Sequence, residues 1–114
     1  MTPDERQFLL TAAWLFARHG RRDRARRLFD ALAEDDPRDG TAAAALAEFA
    51  LDEGDPARAL SLLRAADIPP SLEHAAAVLE TRALQHSGKP AAAAARWQRW
   101  LETRKGPARR WIAP

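Results

Sequence analysis

Glycine recurs at Gly20, Gly54 and Gly88, at an interval of 34 residues both times. Ala25, Ala59 and Ala93 stand five residues after each glycine, and Phe29, Leu63 and Trp97 nine residues after. A period of this length marks a repeated supersecondary unit, because one helical hairpin cannot bury its apolar face alone and must stack on its neighbours. Three units, about residues 6–39, 40–73 and 74–105, fill nearly all of the 114 residues and leave a short basic stretch, 106–114. The expectation is one all-α domain over 1–114, built to hold another protein rather than to catalyse.

Each unit reads as two helices joined at its glycine. The first helix is expected over about Pro3 to His19, with Phe8, Leu9, Ala12, Leu15 and Phe16 at helical spacing as its buried stripe. Gly20 supplies the left-handed backbone that a helix stop prefers. The second helix, about Arg22 to Glu34, carries Ala25, Leu28, Phe29 and Leu32 on one face, and Pro37 ends it. In the second unit, a helix over about Thr41 to Glu53 stops at Gly54. Asp55-Pro56 then restarts the chain, Asp as cap and Pro in the first turn, to about Ala66. Ser71 is placed to cap the next helix, about Leu72 to Ser87. The last runs from Pro90 to about Arg104, with Ala93, Trp97, Trp100 and Leu101 as its stripe and Gly106-Pro107 as its stop. Beyond it, Ala108 to Pro114 frays unless Trp111 and Ile112 dock. The early alanines of the second helices let paired helices cross closely, and the large residue four positions on fills the next gap.

Composition narrows the chemistry. The net charge is +2, and there is no cysteine, which removes disulfides and thiolate metal sites. The polar start and the lack of a long apolar run argue for cytoplasmic residence without membrane insertion. His19, His74 and His86 are too scattered for a metal site, the glycines are isolated rather than clustered around a phosphate, and Ser61, Ser71 and Ser87 have no evident base. Glu34-Asp35-Asp36 reads as solvated loop charge. No catalytic, cofactor or metal residue is expected. The basic cluster Arg18, Arg21, Arg22, Arg24, Arg26 and Arg27, broken by Asp23, reads as a solvated turn and helix face, with a docking patch for an acidic partner surface as the alternative, and is weak evidence for nucleic acid.

Paired helices, the glycine turn, Ala25, Ala59 and Ala93, the bulky residue four on, and Pro37 at a repeat end together resemble the tetratricopeptide repeat. That resemblance implies three hairpins stacked in a right-handed superhelix. A narrower resemblance lies at the two ends. Arg6-Gln7-Phe8-Leu9-Leu10 with Trp14-Leu15, the run Ala25 to Leu32 with Pro37, and Ala94 to Glu102 look like the SctY (YscY-like) chaperones of bacterial type III secretion. The Ala-rich middle matches them poorly. This resemblance implies a cytosolic chaperone that forms a heterodimer with a secreted SctX-like export component, the pair then engaging the export-gate protein SctV. A generic repeat adaptor with no role in secretion is the alternative.

Trp14 lies off the expected core stripe, on a second stripe with Leu10 and Ala17. A helix apolar on two sides needs two burial surfaces. In a repeat array the second would be the concave wall formed by the first helix of each unit. Counting forward by 34 from Leu10 and Trp14 gives Ala44 and Glu48, then Val78 and Arg82, with Leu51 and Leu79 nearby. These nine residues are the expected partner-binding set. Mostly apolar with one acid and one base, the wall suits a partner's amphipathic helix, each buried apolar side chain contributing about 1.5–3 kcal/mol. Some tetratricopeptide proteins grip a terminal carboxylate here with Lys and Asn. Leu10, Trp14, Ala44 and Glu48 at those places argue against that use.

Overall fold

The structure, a computed structural model, describes the backbone of residues 1–112 and the side chains of residues 1–104. It contains six α-helices: α1 (Pro3–Arg18), α2 (Arg22–Asp35), α3 (Gly40–Asp52), α4 (Pro56–Ala65), α5 (Glu73–His86) and α6 (Pro90–Ile112). A 3-10 turn at Pro70–Leu72 precedes α5. Among the described residues there is no strand, only a single parallel bridge between Asp39 and Asp67.

The period seen in the sequence is a period of helix stops. Gly20, Gly54 and Gly88 have φ of 76°, 79° and 74°. In each, the glycine N–H donates to the carbonyl three residues back, that of Ala17, Leu51 or Gln85. The next N–H donates to the carbonyl five back, that of Phe16, Ala50 or Leu84. This is the Schellman closure, which satisfies the last carbonyls of a helix and needs a residue free to enter the left-handed region. The second helices then start promptly. Asp55 accepts from the Arg58 N–H, with Pro56 in the first turn.

Consecutive helices pack in pairs, α1 with α2, α3 with α4 and α5 with α6. The pairs meet through α2–α3 and α4–α5, and α3 also packs against α5, whereas α1 and α3 make no comparable backbone approach. Ala25, Ala59 and Ala93 are all buried, as close helix crossing requires. The Ala-rich α3 is buried along nearly its whole length, from Gly40 to Leu51, with Glu48 alone exposed between them. Its alanines are the physical means by which a central helix is packed on several sides at once. Ala42, Ala45, Leu46 and Phe49 join one cluster with Ala13, Phe29 and Leu32. Ala44, Ala47, Ala50 and Leu51 join another with Leu60, Leu63, Leu79 and Leu84.

The two inter-pair connections are tied together. The Asp67 N–H donates to the Arg38 carbonyl at 2.9 Å, and the Arg38 guanidinium grips the Asp67 carboxylate through two bonds of 2.9 and 2.7 Å. The arginine holds that carboxylate below the usual range, through its hydrogen bond first. Gly40 lies beneath this junction, where a Cβ would stand 2.1 Å from the Asp67 carbonyl oxygen.

Three sequence expectations are corrected. First, the buried face of α1 is not Phe8–Ala12–Leu15. It centres on Ala13, with Leu9, Leu10, Phe16 and Ala17 packed toward the core, while Phe8 is 72% and Leu15 51% exposed. Arg6, on the same side as Ala13, pairs with Asp35 of α2 and with Asp39, the N-cap of α3. The Asp39 hydrogen bond is the largest influence holding the Arg6 guanidinium charged. Arg6→Ala is expected to lower stability by about 2 kcal/mol, the usual scale for charged hydrogen bonds, in a denaturant titration; an unchanged midpoint would show that the pairs do not hold α1.

Second, Ser71 does not cap α5. It sits inside the 3-10 turn that Pro69-Pro70 begins, and Leu72 takes the cap position without a side-chain bond. Third, α6 does not stop at Gly106-Pro107 but continues to Ile112. One internal proline removes one backbone hydrogen bond, and the helix runs on through it. Whether Trp111 and Ile112 dock lies outside the described side chains. Trp97 and Trp100 are half-buried, with the His74 ring 6.1 and 5.6 Å from theirs.

Candidate functional site

Because α1 and α3 stand apart, a cleft opens between them. It is lined by Trp14, Ala17 and Arg18 of α1, Arg22 and Phe29 of α2, and Ala45, Glu48 and Phe49 of α3, and holds about 230 Å³. Its wall is an aromatic ladder. Trp14 meets Phe29 edge-on at 5.3 Å and 76°, and Phe29 meets Phe49 at 6.3 Å. The Arg22 guanidinium lies 4.6 Å above the Phe49 ring and bonds Asp52 at 3.1 Å. Such cation–π stacking fixes a long side chain that would otherwise sweep solvent.

Phe29 is fully buried, whereas Trp14 keeps 43% of its surface exposed. A large aromatic held on one side and open on the other is the usual anchor of a protein contact. The cleft is smaller than the 300–1,000 Å³ typical of cofactor or drug-sized ligand pockets. Its size and apolar wall suit one inserted side chain, with Glu48 and Arg18 at the rim to bond polar groups beside it. Among the described residues, no group of three His, Cys, Asp or Glu could hold a metal ion.

The nine expected residues divide four ways. Trp14, Ala17 and Glu48 come together in the cleft. Val78 and Arg82, half-buried on α5, lie outside it. Ala44, Leu51 and Leu79, at 8%, 4% and 7% exposure, belong to the core and cannot line an open wall. Leu10 is half-buried and turned to the first core cluster. Ala44, Val78 and Arg82 were reached by counting, and the count fails for a physical reason. The counting by 34 assumes that the first helices stand equivalently, but α3 is enclosed and α1 is not.

Phe49 and Arg22 were missed. Phe49 lies next to Glu48 in sequence, three residues from Leu46, and that apolar spacing within α3 was the available signal. Arg22 had been grouped with a solvated basic face. Instead Arg22 pairs with Asp52 and Arg26 with Glu53, which ties the start of α2 to the end of α3.

Among the described residues, no helix is long and apolar enough to cross a membrane. No protein-family model, curated protein or solved structure matches this chain.

Proposed function

We propose that this protein is a binding module of the tetratricopeptide type, with its helical pairs stacked in a right-handed array and without enzymatic activity. The observation that carries the reading is the Trp14 cleft beside three identical glycine closures spaced by 34 residues. One open aromatic anchor, a buried aromatic floor and a charged pair at the rim favour an apolar side chain presented from a partner's amphipathic helix. The resemblance of the chain's ends to the SctY chaperones supplies the partner class. It is an SctX-like export component, held as a heterodimer in the bacterial cytoplasm and delivered to an SctV-like export gate. Masking a helix that aggregates when free is the physical service such a module performs.

The test is affinity purification of the tagged full chain from its host, with Trp14→Ala and Glu48→Lys alongside. The wild-type chain retains an SctX-like protein. Trp14→Ala weakens retention by about thirtyfold, the scale of a lost interface hot spot, while circular dichroism stays helical. Equal recovery of that protein with Trp14→Ala would remove the cleft from the interface. Recovery of an unrelated protein complex would replace the secretion reading with that of an adaptor.

A further inference from the structure

A second surface on α1 is independent of the Trp14 cleft. Phe8, Ala12 and Leu15 share one helix face, and Phe8 and Leu15 are the two most exposed large apolar residues of the chain's described part. Beside them runs a hollow of about 320 Å³ lined by Ala12, Leu15, Phe16, His19, Arg21 and Arg24. The Arg24 guanidinium lies 5.8 Å from the Phe16 ring and stiffens that wall. Phe8 projects about one turn beyond Ala12, the near edge of the hollow, on the same helix. A knob and a hole displaced along one helix cannot meet within one molecule, but they meet twice when two copies run antiparallel.

Charge follows the same two-fold pattern. The first turn of α1 is acidic, with Asp4 and Glu5. Its other end is basic, with Arg21 and Arg24 at the hollow. Asp4, Glu5, Arg21 and Arg24 form no salt bridge among the described residues. In an antiparallel pair each acidic end faces the partner's basic end. The midpoint between Phe8 and Leu15 falls at Thr11 and Ala12, side chains small enough for close helix approach.

We propose that the chain self-associates into a two-fold dimer through antiparallel α1 helices, each Phe8 seated in the other copy's hollow. An isologous contact of this kind is closed, so it ends at two copies. The 16 residues of α1 give a contact about 24 Å long at 1.5 Å per residue. That is short for a standard interface, so the dimer is weak, concentration-dependent and weakened by salt.

Sedimentation velocity on the full chain over a concentration series tests this. The wild type shifts from monomer to dimer. Phe8→Glu, a change at an exposed position, stays monomeric and fully helical, with at least about a tenfold rise in the dimer Kd. Charge reversal fixes the orientation. Asp4→Lys with Glu5→Lys, and separately Arg21→Glu with Arg24→Glu, each weaken self-association. An equimolar mixture of the two recovers a dimer, because every facing end is then oppositely charged. A wild type that stays monomeric to millimolar concentration, a dimer indifferent to Phe8→Glu, or a mixture no better than either variant alone would overturn the proposal. None of these outcomes bears on the Trp14 cleft, which sits on another face of α1.

Discussion

Gly40→Ala is expected to lose about 3 kcal/mol of folding stability, at the upper end of what an overpacked site costs. Only a methyl group is added, and alanine is the better helix former, so helix propensity would forecast the opposite sign. The geometry decides. A Cβ at this position would stand 2.1 Å from the Asp67 carbonyl oxygen and 2.7 Å from Pro69 Cδ. The first obstacle is backbone and cannot swing aside. Relief requires the two connections to separate, which breaks the Asp67–Arg38 backbone bond and stretches the paired carboxylate and guanidinium. Thermal melts should show a fall of roughly 10–15 °C for a chain of this size. A melt within two or three degrees of wild type would mean that the junction yields at little cost.

Phe29→Ala should be costlier still, about 4 kcal/mol, because it empties a fully buried aromatic site. Phe29 has no exposed surface and stands between Trp14 and Phe49 in the ladder. The loss therefore has two readouts. A denaturant titration registers the cavity. Trp14 fluorescence registers the cleft, since the indole loses the edge-on ring that holds it. The chain has four tryptophans, so the signal is read as a difference from Trp14→Ala. Because stabilities of natural domains run to about 5–15 kcal/mol, the variant is left close to the threshold of folding. If Leu28→Ala, at a half-buried position on the same helix, costs as much as Phe29→Ala, the ladder has no special weight.

The two predictions concern residues of very different legibility. Phe29 was readable from its place nine residues after Gly20, with Ala25 and Leu32 on the same helix face. Gly40 was not. It sits outside the 34-residue series, its counterpart one period on is His74, and its φ is not in the left-handed region. What requires glycine there is the carbonyl of a residue 27 positions later. The candidate site shows the same division. Trp14 was singled out because it lay off an apolar stripe, and the structure leaves it open to solvent. Of its companions, Ala44 was assigned by translation along the repeat and Leu51 and Leu79 as residues nearby, and all three are instead enclosed. Translation carries a residue to an equivalent position only if the environment repeats, and a three-pair array has no repeating interior: its middle is covered on both sides and its ends on one.

Sequence by itself determined where the first helix of each pair stops, at Gly20, Gly54 and Gly88, and where α4 starts, at Asp55-Pro56. An αL glycine, an Asp cap or a proline in a first turn acts through bonds spanning five residues or fewer, so its information is complete in the local chain. Tertiary structure alone decided which way α1 is turned. That helix has apolar residues around most of its circumference, and several rotations would bury similar area. In the one adopted, Arg6 reaches Asp35 and Asp39, Leu10 packs inside, and Phe8 and Leu15 stay outside. Choosing a face depends on partners far away in the chain, and no periodicity within a single helix records where they will be.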